Sequence, residues 1–238
     1  MEEIKCYNCG KVLCANEVTR EHIPAKALFE GYGIEHKVNI ITVPACLHCN
    51  NEYSYIDEEF RNLLGTIAKR SVNNTLTCKS VKSVLRRKEG WNRLVFGNSR
   101  TVDGIVFKEK DIEDFHKKKF KGLFYHQYSK PFPDDFVLIV NIDENDYSSA
   151  TKSIISYLKG FFEWKFSGHK DIFQYCIQPV RENIRQRNKE DKSDLELLDS
   201  DNLIACVMIY NQEHAALVYG IRRNYWDIIF NEHSSKDL

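Results

Sequence analysis

No run of apolar residues in this 238-residue chain is longer than Leu203–Tyr210, far short of the roughly 20 needed to cross a bilayer. The opening Met1-Glu2-Glu3 lacks the basic-then-apolar order of a secretion signal. Net charge is absent too: 34 lysines and arginines balance 34 acidic residues, so no overall basic field draws a polyanion to the whole surface. No internal repeat is evident. These absences argue against membrane and secreted classes and lead us to expect a cytoplasmic protein. What remains is globular in composition, 42% hydrophobic and 29% charged, not that of a disordered chain. A mass of 27.9 kDa suits one large domain or two small ones, at about 100–200 residues each.

Cysteine is plentiful by contrast. Four of the eight form two C-x2-C pairs, Cys6/Cys9 and Cys46/Cys49. Two residues between thiolates let one tight turn aim both sulfurs at one ion, and two such knuckles complete the tetrahedron that zinc prefers. Gly10 and Asn8 suit the first turn because both tolerate left-handed backbone, and Pro44 stiffens the approach to the second. Unrelated pairs, or a redox C-x-x-C, are the alternatives, although Cys6 lacks the strand-then-helix setting of a redox motif. Cys14 lies close enough to substitute as a ligand. His48 is expected to face solvent, and Cys176 and Cys206 read as ordinary buried thiols.

Between the knuckles stands Arg20-Glu21-His22-Ile23-Pro24-Ala25-Lys26, and the second knuckle reads Pro44-Ala45-Cys46-Leu47-His48-Cys49-Asn50. In this order the segment resembles the zinc-knuckle branch of the HNH endonucleases, the ββα-metal or His-Me finger nucleases, over about residues 4–64. The resemblance implies an N-terminal zinc-stabilised ββα-metal finger; the strands and helices expected after it make the rest a larger mixed domain, and the whole chain α+β. The resemblance also implies His22 as general base, with Glu21 and Asn50 as ligands of a catalytic magnesium or manganese ion distant from the structural zinc. Arg20 and Lys26 become candidate phosphate contacts, with solvated surface charge as the alternative. Adjacent residues on a strand point to opposite faces, so Glu21 and His22 can share a site only at a strand end or bulge. Asn50 could equally be a helix N-cap. The chain departs from the family pattern at Ile41, where an asparagine usually braces the histidine loop; Asn39 lies two residues earlier. Tyr53 stands where a lysine is common.

Downstream, apolar residues at helical spacing predict a helix over 50–70. Charge is uneven: residues 1–65 hold six basic against ten acidic side chains, whereas 66–93 hold eight basic against Glu89 alone. That basic segment is a candidate nucleic-acid contact, or a solvated helix face. Lys117, Lys118, Lys119 and Lys121 form a second basic run that either extends the groove or lies exposed. Strands are expected at 91–96 and 101–107, paired through Gly97-Asn98, and again at 136–142, 172–180, 203–210 and 215–221, with Asn211-Gln212-Glu213 joining the last two. Helices are expected at 111–127 and 148–162, and an exposed loop at 181–201. His126, His169 and His214 read as structural.

The expected organisation is a finger at 1–70, a basic helical connector at 71–90 and an accessory domain at 91–238. The expected function is a phosphodiester-cleaving endonuclease, acting on DNA before RNA. The resemblance associates it with bacterial restriction, antiviral defence or mobile elements, and leaves room for a protein partner or homodimer through the C-terminal domain. The rival is a non-catalytic zinc module that binds nucleic acid or protein.

Overall fold

A computed structural model describes residues 3–67, 74–96, 102–143, 163–179, 202–212 and 214–226. The expected helix at 148–162, the loop at 181–201 and the 97–98 turn lie outside the described residues.

The chain begins with a small turn closed by a Lys5–Val12 bridge, which carries the first cysteine pair. Two antiparallel strands follow, β1 (Thr19–Ile23) and β2 (Ile41–Ala45), in continuous register from Thr19–Ala45 to Ile23–Ile41. Helix α1 (Leu47–Glu52) starts immediately after β2, and α2 (Ser54–Ile67) follows it. The single helix expected over 50–70 is therefore two. Tyr53 sits between them at φ −93°, ψ 3°, its N–H donating to the Asn51 carbonyl, which also accepts from the Ser54 hydroxyl at 2.9 Å. A third helix, α3 (Asn74–Arg86), packs along α2.

Beyond α3, a short hairpin pairs β3 (Leu94–Phe96) with β4 (Val102–Ile105); residues 91–93 form a 3-10 turn instead of extending the strand. Helix α4 (Glu109–Tyr128) is the longest among the described residues. The remaining strands, β5 (Phe136–Asp143), β6 (Lys165–Phe166), β7 (Phe173–Pro179), β8 (Leu203–Tyr210) and β9 (His214–Arg222), form one antiparallel sheet in the order β5-β9-β8-β7-β6. The β8–β9 turn has Asn211 at φ 49° and Gln212 at φ 59°, positive angles that match the twist of the flanking strands. The architecture is thus mixed helix and sheet. No helix among the described residues is long and apolar enough to cross a membrane.

Helix α4 is what positions the site. It lies between the N-terminal hairpin and the large sheet, touching β1, β2 and α2 on one side and β5 and β9 on the other. Phe115 stacks on Phe60 of α2 with centroids 3.9 Å apart, while Phe120 and Phe124 meet Phe132 edge-on beneath the sheet. Gly122 allows the closest approach to the hairpin, since a Cβ there would lie 2.4 Å from Ile23 Cδ1. One apolar cluster consequently runs from Cys6 to Val218 and takes residues from both sides of the expected boundary at 71–90.

Candidate functional site

The two knuckles converge. The sulfurs of Cys6, Cys9, Cys46 and Cys49 all lie within 4.8 Å of one another, and Cys9 Sγ is 3.9 Å from Cys46 Sγ. Tetrahedral zinc–thiolate bonds of about 2.3 Å put sulfurs about 3.8 Å apart, so the spacing fits a zinc knuckle. Gly10, at φ 71°, closes the first turn by donating to the Cys6 carbonyl at 3.0 Å. Cys46 caps α1, its sulfur accepting from the Cys49 amide at 3.4 Å, and the Asn8 amide reaches Cys49 Sγ at 3.5 Å. Such donors favour the thiolate form a metal requires. Burial pushes the Cys49 thiol up from its ordinary value, so a cation is what would let this sulfur ionise. Cys14 is exposed and is not part of the cluster; His48 is exposed beside Glu52.

Because Cys46 is the cap, Asn50 does not begin the helix as expected but lies one turn inside α1. Its side chain thereby reaches a cavity of about 370 Å³ lined also by Arg20, Glu21, His22, Lys26, Asp57 and Arg61. All five residues singled out around this site, Arg20, Glu21, His22, Lys26 and Asn50, share that one opening. No bulge is needed. β1 alternates, with Glu21 and Ile23 buried and His22 half-buried, and the strand ends one residue after His22, so the opening wraps its tip. Asn39 is not among the lining residues; it is exposed, at φ 57°, with its carbonyl accepting from Gly168 at 3.3 Å.

Ser167, which sequence reasoning missed, braces the hairpin instead. Buried completely, its hydroxyl donates to the Ile23 carbonyl and accepts from the Ile41 amide at 2.8 Å, tying both strands at the open end. Nothing in the local sequence announces a serine 144 residues from its partner.

Lys118 and Lys119 are neither groove nor exposed face: their side chains are 1% and 0% exposed. Lys118 Nζ lies 2.9 Å from Glu21 Oε1 and 3.1 Å from Asp57 Oδ2, and Lys119 Nζ lies 3.1 Å from Glu21 Oε1 and 2.8 Å from Asp57 Oδ1. Two ammoniums and two carboxylates make a neutral quartet beneath the cavity. Burial pulls the Lys119 ammonium down, but Asp57 and Glu21 more than offset it and the net shift is upward. Lys117 instead pairs with Glu113 at 2.9 Å, and Lys121 reaches the Asn8 carbonyl at 3.5 Å. A signal existed: Ile112, Phe115, His116, Lys119 and Leu123 recur at helical spacing, so Lys119 sits on the apolar stripe and needs a buried anion.

His22 is held below its ordinary value, chiefly by burial and then by Lys26, with Glu21 opposing. At neutral pH it is an uncharged imidazole able to accept a proton. Fitness for a hard divalent ion is narrower. The Glu21 contacts described fall on Oε1, and among the described residues no hydrogen bond engages the Asn50 side-chain amide. Glu21 and Asn50 do line one open cavity, but the Glu21 carboxylate already meets two ammoniums, at 2.9 and 3.1 Å, whose charge opposes a divalent cation. His116 and His214 meet elsewhere, under α4, with Nε2 atoms 3.0 Å apart and both rings fully buried; the cysteine tetrad is the one metal-ligand grouping among the described residues.

Compared with known proteins, the chain matches no family model, no curated protein and no solved structure.

Proposed function

We propose that this protein is a zinc-knuckle HNH-type endonuclease, hydrolysing phosphodiester bonds in DNA. One observation carries the reading: a cysteine-clamped hairpin and helix bring Glu21, His22 and Asn50 to a single open cavity together with Arg20 and Lys26. His22, neutral and half-buried at the tip of β1, takes the proton of an attacking water. Arg20 and Lys26, both exposed on the rim, hold the phosphate oxygens. Glu21 and Asn50 would hold a magnesium or manganese ion, which supplies charge stabilisation at the phosphate and leaving oxygen. Zinc at the four cysteines would be structural, fixing α1 against the hairpin.

A second reading has its own support. Glu21 is already neutralised by two lysines, as suits a non-catalytic zinc module whose acid is purely structural. Plasmid nicking with magnesium or manganese separates the two. Wild type should cut and His22→Ala should lose on the order of 10²–10⁴ in rate, the usual worth of a general base. Cutting that survives the substitution removes His22 as base; no cutting of DNA or RNA by wild type favours the binder.

A further inference from the structure

Next to the cavity lies a second cleft, of about 540 Å³, that shares Glu58 and Arg61 with it and continues along α3. Its outer wall is Lys79, Lys82 and Arg86, all exposed and on one helical face at spacings of three and four. We infer that this cleft is the track for the nucleic-acid backbone flanking the scissile phosphate, so that the preferred substrate is a polynucleotide extending to the α3 side. The inference rests on the nuclease reading of the adjoining cavity.

The cations are held in place from behind. Leu76, Ser80 and Val84, on the opposite face of α3, are buried. Ser80 donates to the Arg61 carbonyl at 3.2 Å, and Asn62 of α2 donates to Ser83 at 3.1 Å. Acidic side chains in the cleft are occupied internally: Glu58 by Arg61 and Arg87, Glu30 by Lys79 at 3.3 Å. Lys82 and Arg86 have no ion pair among the described residues, so their charge faces outward uncompensated. Lys79 to Arg86 spans about 10 Å of helix, and one DNA strand carries a phosphate about every 3.4 Å of axis, so the face can meet about three. An acidic protein surface would also be attracted, but the cleft leads into the cavity where a phosphodiester is to be bound, and that continuity selects the polynucleotide.

The test is fluorescence anisotropy with a labelled DNA duplex in divalent-free buffer, comparing wild type with the triple variant Lys79→Gln/Lys82→Gln/Arg86→Gln at salt from about 50 to 200 mM, where phosphate contacts dominate. Each lost contact lowers the slope of log affinity against log salt by about 0.9. With Lys79 already paired to Glu30, the triple variant should lose about 2 from the slope and bind roughly tenfold or more weakly at the low end, with unchanged melting temperature. An unchanged slope, alongside intact His22-dependent nicking by wild type, overturns the track and leaves the cavity reading standing. A slope lost as expected, in a protein that nicks nothing, supports the track and fails the catalytic reading. No binding by wild type overturns the track.

Discussion

Helices α3 and α4 carry similar basic runs and use them in opposite ways. In α3, Lys79, Lys82 and Arg86 stand on the solvent face; in α4, Lys118 and Lys119 turn into the core. What separates them is the register of the run against the apolar stripe and the presence of distant carboxylates. Lys119 is separated from Glu21 by 98 positions, so its fate was settled by the hairpin. Counting positive residues thus measures charge and says nothing about its direction. The protein's overall neutrality conceals the α3 face because charge is summed over the whole chain, while Lys118 and Lys119 cancel against Glu21 and Asp57 inside.

The sharpest way to break this contrast is to neutralise one lysine in each helix. Lys119→Met should strand Glu21 and Asp57 with a single counter-ion and cost about 3 kcal/mol, as broken buried pairs do, read as a lower midpoint in urea unfolding. Pairing it with Glu21→Gln should recover part of that loss, because the stranded charge goes with it.

A second effect comes from the same inward face. Burial, then His214 and Lys119, hold His116 well below its ordinary value. It is uncharged when folded and free to protonate when unfolded, so stability is full above about pH 6.5 and falls as acid is added, by up to about 1.4 kcal/mol per pH unit for each such proton. Thermal melts from neutral to mildly acidic buffer should show the decline, and His116→Phe should flatten it. Smallest of all is Lys82→Met, expected within about 0.5 kcal/mol of wild type in the same urea titration. A large loss there would end the distinction between the helices.

Much was legible beforehand where local pattern carries the information. The cysteine spacing led to the four-sulfur cluster, the helix expected at 111–127 to α4, and the apolar runs to β5, β7, β8 and β9. Glu21, His22 and Asn50 do share a cavity. The misses have a common physical origin. The role of Ser167 and the partners of Asp57, Lys118 and Lys119 depend on contacts between segments far apart in the chain, which periodicity does not encode, although the apolar stripe does turn Lys119 inward; the break at Tyr53 is a local exception. Asp57 lies in the first turn of α2, and its carboxylate serves Lys118 and Lys119.

Ser167 carries a practical consequence. Its hydroxyl sutures the mouth of an N-terminal hairpin from the connection between β6 and β7, and α4 supplies the counter-ions under that hairpin. An excised fragment ending near residue 70 would bare the Ile23 carbonyl and leave Glu21 without its ammoniums. The amino-terminal motif is therefore not a cassette to be grafted elsewhere: its host is the remainder of its own chain.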